Sequence, residues 1–221
     1  MQHRLWLVAA LAVGGVCPAL HAQSGGDPGI PIVARGSRAY EALTSFQATF
    51  RQHFDDKMID QPDSRGTLYQ EGKNHFAMRF ADPPQDAIIA DGSKLWVYTP
   101  SETPGQVMRY PLQNHPTYGT NLLGTFLDNA VERYRITYLR SEEIDSHMTD
   151  AVVMEPIAND MPFRRATIWF DRENSLPRRL EIEESRDHKR TLQLSQLQIN
   201  RSIPPSTFVC KPPAGTRIID Q

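Results

Sequence analysis

His75-Phe76-Ala77-Met78-Arg79-Phe80, followed after a short gap by Ala87-Ile88-Ile89-Ala90-Asp91-Gly92-Ser93-Lys94-Leu95-Trp96-Val97-Tyr98, carries the pattern that decides the fold class. Phe76, Met78 and Phe80 fall on one face of a strand and His75 and Arg79 on the other, because successive side chains of an extended chain point to opposite sides. Asp91-Gly92 tolerates the positive φ angles of a tight turn, so it marks a hairpin between Ala87–Ala90 and Leu95–Tyr98. The same alternation recurs at Tyr134, Ile136 and Tyr138, at Ala166, Ile168 and Phe170, and at Leu180 and Ile182 against Glu181 and Glu183. Along Leu192-Gln193-Leu194-Ser195-Gln196-Leu197-Gln198-Ile199 the apolar set slips by one residue near Ser195, which predicts a bulge in a long strand. About ten short strands, each with a wet and a dry face, predict a mainly β protein: an antiparallel sheet that curls strongly or forms a barrel.

Two helices are expected beside the sheet. Tyr40, Leu43 and Phe46 keep a three-residue spacing after Ser37, a plausible cap, and Thr120 to Val131 carries Leu122, Leu123 and Phe126. Phe46, Phe50 and Phe54 fit a helix face and, with Ala48, equally fit strand alternation, so periodicity leaves that segment open. At the start of the chain, a basic Met1–Arg4 precedes the apolar run Leu5–Cys17, Pro18 and then Ala19-Leu20-His21-Ala22. This reads as a secretory signal peptide cleaved after Ala22. The run is short of the roughly 20 residues of a transmembrane span. Lipidation of Cys17 is disfavoured by Val16, where such sites carry a small residue. Residues 23–35 are expected to be a flexible leader and residues 36–221 one domain, exported and soluble. Removal of Cys17 leaves Cys210 as a lone thiol, read as a small buried apolar side chain.

Composition narrows the function. The chain has 221 residues, with 26 acidic and 24 basic side chains, and this balance gives no field that would concentrate nucleic acid. It contains no glycine-rich phosphate loop, no pair of histidines at zinc-binding helical spacing and no G-x-S-x-G nucleophile turn. His53, His75, His115, His147 and His188 are scattered without ligand spacing, and Glu142, Glu143 and Asp145 read as a solvated loop. No catalytic residue, metal or cofactor is therefore predicted, and the apolar strand faces are the conspicuous resource.

The order of features resembles a known family. The Phe-x-Ala-x-Phe-x-Gln stretch at Phe46–Gln52, the Gly-x-Leu strand at Gly66–Leu68, the Asp-Gly-x-x-Leu-Trp-x-Tyr hairpin at Asp91–Tyr98, the Leu-Leu helix, and the ending Phe208-Val209-Cys210-Lys211-Pro212-Pro213-Ala214-Gly215 are together similar to the periplasmic outer-membrane lipoprotein carriers, the LolA family. The resemblance implies an unclosed β-barrel covered by a helical lid. It implies a lipid-binding cavity lined by Phe50, Phe54, Leu68, Phe76, Met78 and Phe80, and lid residues Leu43, Leu122, Leu123 and Phe126. The implied protein is a monomeric, non-enzymatic carrier in the periplasm. Its cargo is acylated lipoproteins, released by an inner-membrane ABC-type complex and passed to an acceptor lipoprotein at the outer membrane. The alternatives are a carrier or scavenger of phospholipid or glycolipid, and a sensor of mislocalised lipoproteins, which usually appends a second domain for which a chain ending at Gln221 leaves no room. A lipid hydrolase is disfavoured by the missing catalytic constellation. Two positions depart from the family pattern. Gly72-Lys73 stands where an Arg-Pro pair usually places a lid-bonding guanidinium, and Cys210 stands where the ending usually has an aromatic.

Overall fold

A computed structural model describes residues 26–56, 62–112, 121–159 and 161–221. The expected signal peptide, with Cys17, lies outside the described residues, as do Thr120 and His115. The elements in chain order are α1 (Gly29–Glu41), β1 (Ser45–Asp56), β2 (Ser64–Glu71), β3 (His75–Asp82), β4 (Ala87–Asp91), β5 (Lys94–Tyr98), β6 (Gln106–Pro111), α2 (Leu122–Leu127), α3 (Ala130–Arg133), β7 (Tyr134–Ile144), β8 (His147–Pro156), β9 (Arg165–Asp171), β10 (Pro177–Glu183), β11 (His188–Ile199) and β12 (Arg217–Asp220).

Twelve strands form one unclosed sheet in the order β12-β6-β5-β4-β3-β2-β1-β11-β10-β9-β8-β7. Two antiparallel meanders, β1–β6 and β7–β11, are joined where β1 pairs with β11, and β12 adds in parallel beside β6. Side chains from one face of β1–β5 and β7–β11 meet the three helices in a single apolar cluster. A flat sheet this wide could not bring its two halves onto one cluster, so the sheet wraps around it. Leu192 pairs with Gln52 and Leu194 with Phe50, but Ser195 pairs with Thr49 and Gln198 with Gln47. Gln196 and Leu197 thus face the single residue Ala48, which is the expected bulge, and Gln196 adopts a left-handed φ of 51°.

The hairpin signal has a visible cause. Gly92 takes φ +95°. Asp91 Oδ1 accepts hydrogen bonds from the Ser93 and Lys94 amides and Oδ2 accepts one from Trp96 Nε1 at 2.7 Å. Burial opposes ionisation of Asp91, yet these donors hold its carboxyl below the ordinary range.

Three expectations change. Phe46, Phe50 and Ala48 belong to strand β1, hydrogen-bonded on both sides, so the open alternative resolves as a strand. The first helix begins at Gly29, inside the stretch expected to be a flexible leader. Pro28 and Pro31 sit at its start, where a missing N–H is tolerated because the first-turn amides have no helical partner. Its buried face is Gly29, Ile32, Val33, Gly36 and Tyr40, a helical repeat. Leu43 and Phe46 lie beyond its end, and Ser37 sits inside it rather than capping it. Gly36 is required by packing, since a Cβ there would stand 2.6 Å from the Phe170 ring. The helix expected over Thr120–Val131 is two short ones, because Asn129 between them takes a left-handed φ of 52° and breaks the run.

The outer face of the sheet is also less wet than expected. Ile203 and Phe208 pack on Ala77, Ala87 and Ile89, and Trp169 packs with Ile144 and Ala151 under Arg140 and Arg179.

Candidate functional site

The inner face of β1–β3 supplies Phe50, Leu68, Phe76 and Met78, all buried in the main cluster. Phe80 is half-buried and meets Phe50 edge to face at 5.1 Å. Leu122, Leu123 and Phe126 are buried in the same cluster, so the structure brings the expected cavity face and the expected lid face together. Two expected site residues stand elsewhere. Phe54, near the end of β1, lines a polar pocket at the rim with Asp55, Asp56, Glu184 and His188 rather than joining the cluster. Leu43 is on the segment between α1 and β1, packed against the cluster edge, not on a lid helix.

All six residues of α2 are buried. This helix does not lie over the sheet as a cover; it is sunk into the concavity as a plug. Phe126 packs on Phe163 at 5.3 Å and on Tyr134 at 6.4 Å. A buried helix needs its end groups satisfied, and the side chains of Asn121, Arg133 and Tyr134 do this. Asn121 Oδ1 caps α2 by accepting the Gly124 amide at 2.8 Å and also accepts the Tyr40 hydroxyl at 2.9 Å. Gln70 Nε2 donates to Tyr40 Oη at 2.6 Å and to the Gly72 carbonyl at 3.1 Å. Tyr134 Oη and Arg133 donate to the Thr125 carbonyl. Burial pushes the Tyr40 phenol up, so it stays protonated and able to donate.

The relay Gln70–Tyr40–Asn121 therefore ties β2, α1 and α2 together at the position where Gly72-Lys73 offers no guanidinium. Gly72, with φ +58°, turns the chain between β2 and β3, and Lys73 Nζ reaches Asp128 at the far end of α2 at a long 3.9 Å. Beside this clasp lies a pocket of about 290 Å³ lined by Tyr40, Glu41, Leu43, Thr44, Ser45, Phe46, Gln70, Gly72, Lys73 and Asp128. Gln70, Tyr40 and Asn121 escaped sequence reasoning as a group because they are far apart along the chain. Only Asn121 carried a local signal, as a preferred capping residue directly before an apolar helix.

The remaining candidates fall into structural roles. Cys210 is half-buried and packs against the outer-face cluster of Ala77, Ala87, Ile89, Ile203 and Phe208, not in the main interior cluster. Burial pushes its thiol up. Arg79 pins the same segment through the Thr207 and Val209 carbonyls. Glu142 lies in β7 rather than in a loop and accepts from Trp169 and Arg140. His147, Asp171 and Glu173 bring ligand-type atoms together, but Arg178 already occupies the buried Asp171 carboxylate at 2.7 Å and supplies the positive charge. Among the described residues no helix is long and apolar enough to cross a membrane.

A wrapped, unclosed sheet whose apolar inner face is filled by a clasped helix defines a plugged half-barrel with an apolar interior. The family described as "Outer membrane lipoprotein carrier protein LolA" matches residues 41–211, and the chain belongs to that family. Proteins named outer-membrane lipoprotein carrier protein are similar to it at low identity. The one from Alkalilimnicola ehrlichii is 26% identical over 188 residues, spanning 83% of this chain and 81% of its own length. The one from Chromohalobacter salexigens is 24% identical over 217 residues and 95% of each chain. Among solved structures, an uncharacterized conserved protein from Thermus thermophilus superposes with a TM-score of 0.56 at 11% identity, covering 87% of this chain and 98% of its own. MucB superposes at 0.52 and 12% identity over 83% of this chain and 62% of its own. These two likenesses concern the fold alone.

Proposed function

We propose that the protein is a soluble periplasmic carrier without enzymatic activity. It takes up the acyl chains of lipoproteins released from the inner membrane by an ABC-type complex and delivers them to an acceptor lipoprotein at the outer membrane. The observation that carries this reading is the wholly buried α2: its apolar side chains occupy the face of Phe50, Phe76 and Met78 as acyl chains would. Exchange of one for the other sets the affinity. Burying Leu122, Leu123, Phe126 and Leu127 contributes about 1.5–3 kcal/mol each, or roughly 6–12 kcal/mol together. At about 0.8 kcal/mol per methylene, roughly 8–15 methylenes offset the displaced plug. A single long chain thus binds with a small net gain, and each further chain adds to it. Displacing the plug thereby subtracts roughly 6–12 kcal/mol from the gain of burying cargo, which favours release to an acceptor.

The test is to express the tagged protein in its host, purify it from the periplasmic fraction and identify what copurifies by mass spectrometry. Acylated lipoproteins are expected. Phospholipid or glycolipid alone would replace lipoprotein delivery by transport of free lipids. Incubation of the purified protein with a radiolabelled ester lipid is expected to leave it intact, and turnover would overturn the non-enzymatic reading.

A further inference from the structure

Gln70 is buried, at 5% exposure, and both hydrogens of its amide nitrogen are used, on Tyr40 Oη and the Gly72 carbonyl. That pattern fixes the orientation of the amide, since the Tyr40 hydroxyl is itself donated to Asn121. The other end of the side chain, Oε1, is buried and has no hydrogen-bond partner among the described residues. Buried acceptors are normally paired, and this one belongs to a residue that lines the pocket of about 290 Å³. The same pocket has an apolar wall of Leu43, Phe46 and the Tyr40 ring, and a cation, Lys73, whose contact with Asp128 at 3.9 Å leaves it free to serve another acceptor.

We propose that this pocket is a subsite for the amide that joins an acyl chain to a peptide. The amide N–H donates to Gln70 Oε1, its carbonyl accepts from Lys73 Nζ, and the first methylenes lie against Leu43 and Phe46. The inference rests on the acyl-carrier reading above and deepens it by separating recognition of the cargo's head from burial of its chains. The volume is at the lower limit of ligand pockets, roughly 300–1,000 Å³, and suits a head group with a few methylenes rather than whole lipid chains. Oε1 is covered while the clasp is closed. The amide reaches it as Tyr40 moves off Gln70, and because Tyr40 also holds Asn121, entry of the head loosens the cap of α2. An ester at the same position has no hydrogen to donate and leaves Oε1 unpaired.

The experiment uses two isosteric probes, N-dodecanoyl-alanine methyl ester and O-dodecanoyl-lactic acid methyl ester, which differ only in N–H against O. Each is titrated against a fluorescent fatty acid bound to the mature chain, in the wild type and in Gln70→Met. A single hydrogen bond predicts that the wild type binds the amide about three- to tenfold more tightly than the ester. In Gln70→Met that ratio is expected to fall to about one. Loss of the Nε2 bonds loosens the clasp for both probes alike, so the ratio isolates the acceptor. Equal affinities in the wild type, or an unchanged ratio in the variant, would overturn the subsite while leaving the carrier reading intact. Failure of the fatty acid itself to bind the wild type would overturn the carrier reading and the subsite with it, and failure of both probes to displace a bound fatty acid would overturn the subsite alone. The wild-type comparison needs no variant to fold.

Discussion

Replacing Tyr40 by Phe removes one oxygen and, with it, the link between the sheet and the plug. The hydroxyl accepts from Gln70 at 2.6 Å and donates to Asn121 at 2.9 Å. Both partners keep a second contact, Gln70 with the Gly72 carbonyl and Asn121 with the Gly124 amide, so neither group is left stranded. The loss is two buried hydrogen bonds at about 0.5–1.5 kcal/mol each, about 2 kcal/mol in total. The ring and its packing against the cluster remain. If the relay acts as the clasp of α2, this loss falls on local opening of the plug, and amide hydrogen exchange in Leu122–Leu127 accelerates about 30-fold. Amides at the centre of β1 and β11, which open only with the whole domain, report the accompanying global change. The melting temperature is expected to fall by about 4–8 °C for a chain of this size. Uptake of a fluorescent fatty acid becomes faster as the open state grows. Unchanged exchange in α2 alongside a lowered melting temperature would refute the clasp, because the hydroxyl would then support the fold without governing the plug.

Three further outcomes follow from the packing. Phe76, 2% exposed, belongs to the closed cluster, so Phe76→Ala leaves a cavity and is expected to lower unfolding free energy by about 3–5 kcal/mol in chemical denaturation. A loss below 1 kcal/mol would mean that the interior is open around it. A Cβ on Gly124 would overlap the Asn121 side chain, so Gly124→Ala is expected to forfeit the cap, about 0.5–2 kcal/mol, read as a lowered melting temperature and faster exchange in α2. The Arg172 guanidinium beside Asp150 holds that carboxyl below its ordinary range, outweighing burial. A depressed carboxyl stabilises the fold above its unfolded pKa of about 3.9 and loses that contribution as pH falls through the folded value. Thermal stability should thus be flat through neutral pH and decline below about pH 4, with a shallower decline in Asp150→Asn.

The alternating strands were legible because alternation is a local consequence of extended geometry. Phe76, Met78, Asp91-Gly92 and the slip near Ser195 all hold in the structure for that reason. The first helix was mislaid although its apolar repeat is present from Gly29, because Pro28 and Pro31 read as loop residues unless they are recognised as the opening turn. Phe46 and Phe50 could not be assigned from periodicity, since spacings of two and four coincide on them. Pairing with β2 on one side and β11 on the other decides for the strand. Phe54 continues the same alternation but falls where β1 runs out past the core, and alternation does not say how far a strand stays covered.

The sequence by itself determined a curled, mainly β chain with an apolar face and a separate Leu-Leu helix, because hydrophobic spacing and turn chemistry act over a few residues. Only the tertiary structure decided that α2 fills the interior rather than covering it, and that Gln70, Tyr40 and Asn121 form its clasp. Those three residues are ordinary polar side chains in their local contexts. Their role exists only once β2, α1 and α2 exclude water around them, which turns each of their hydrogen bonds into a condition on the position of the plug.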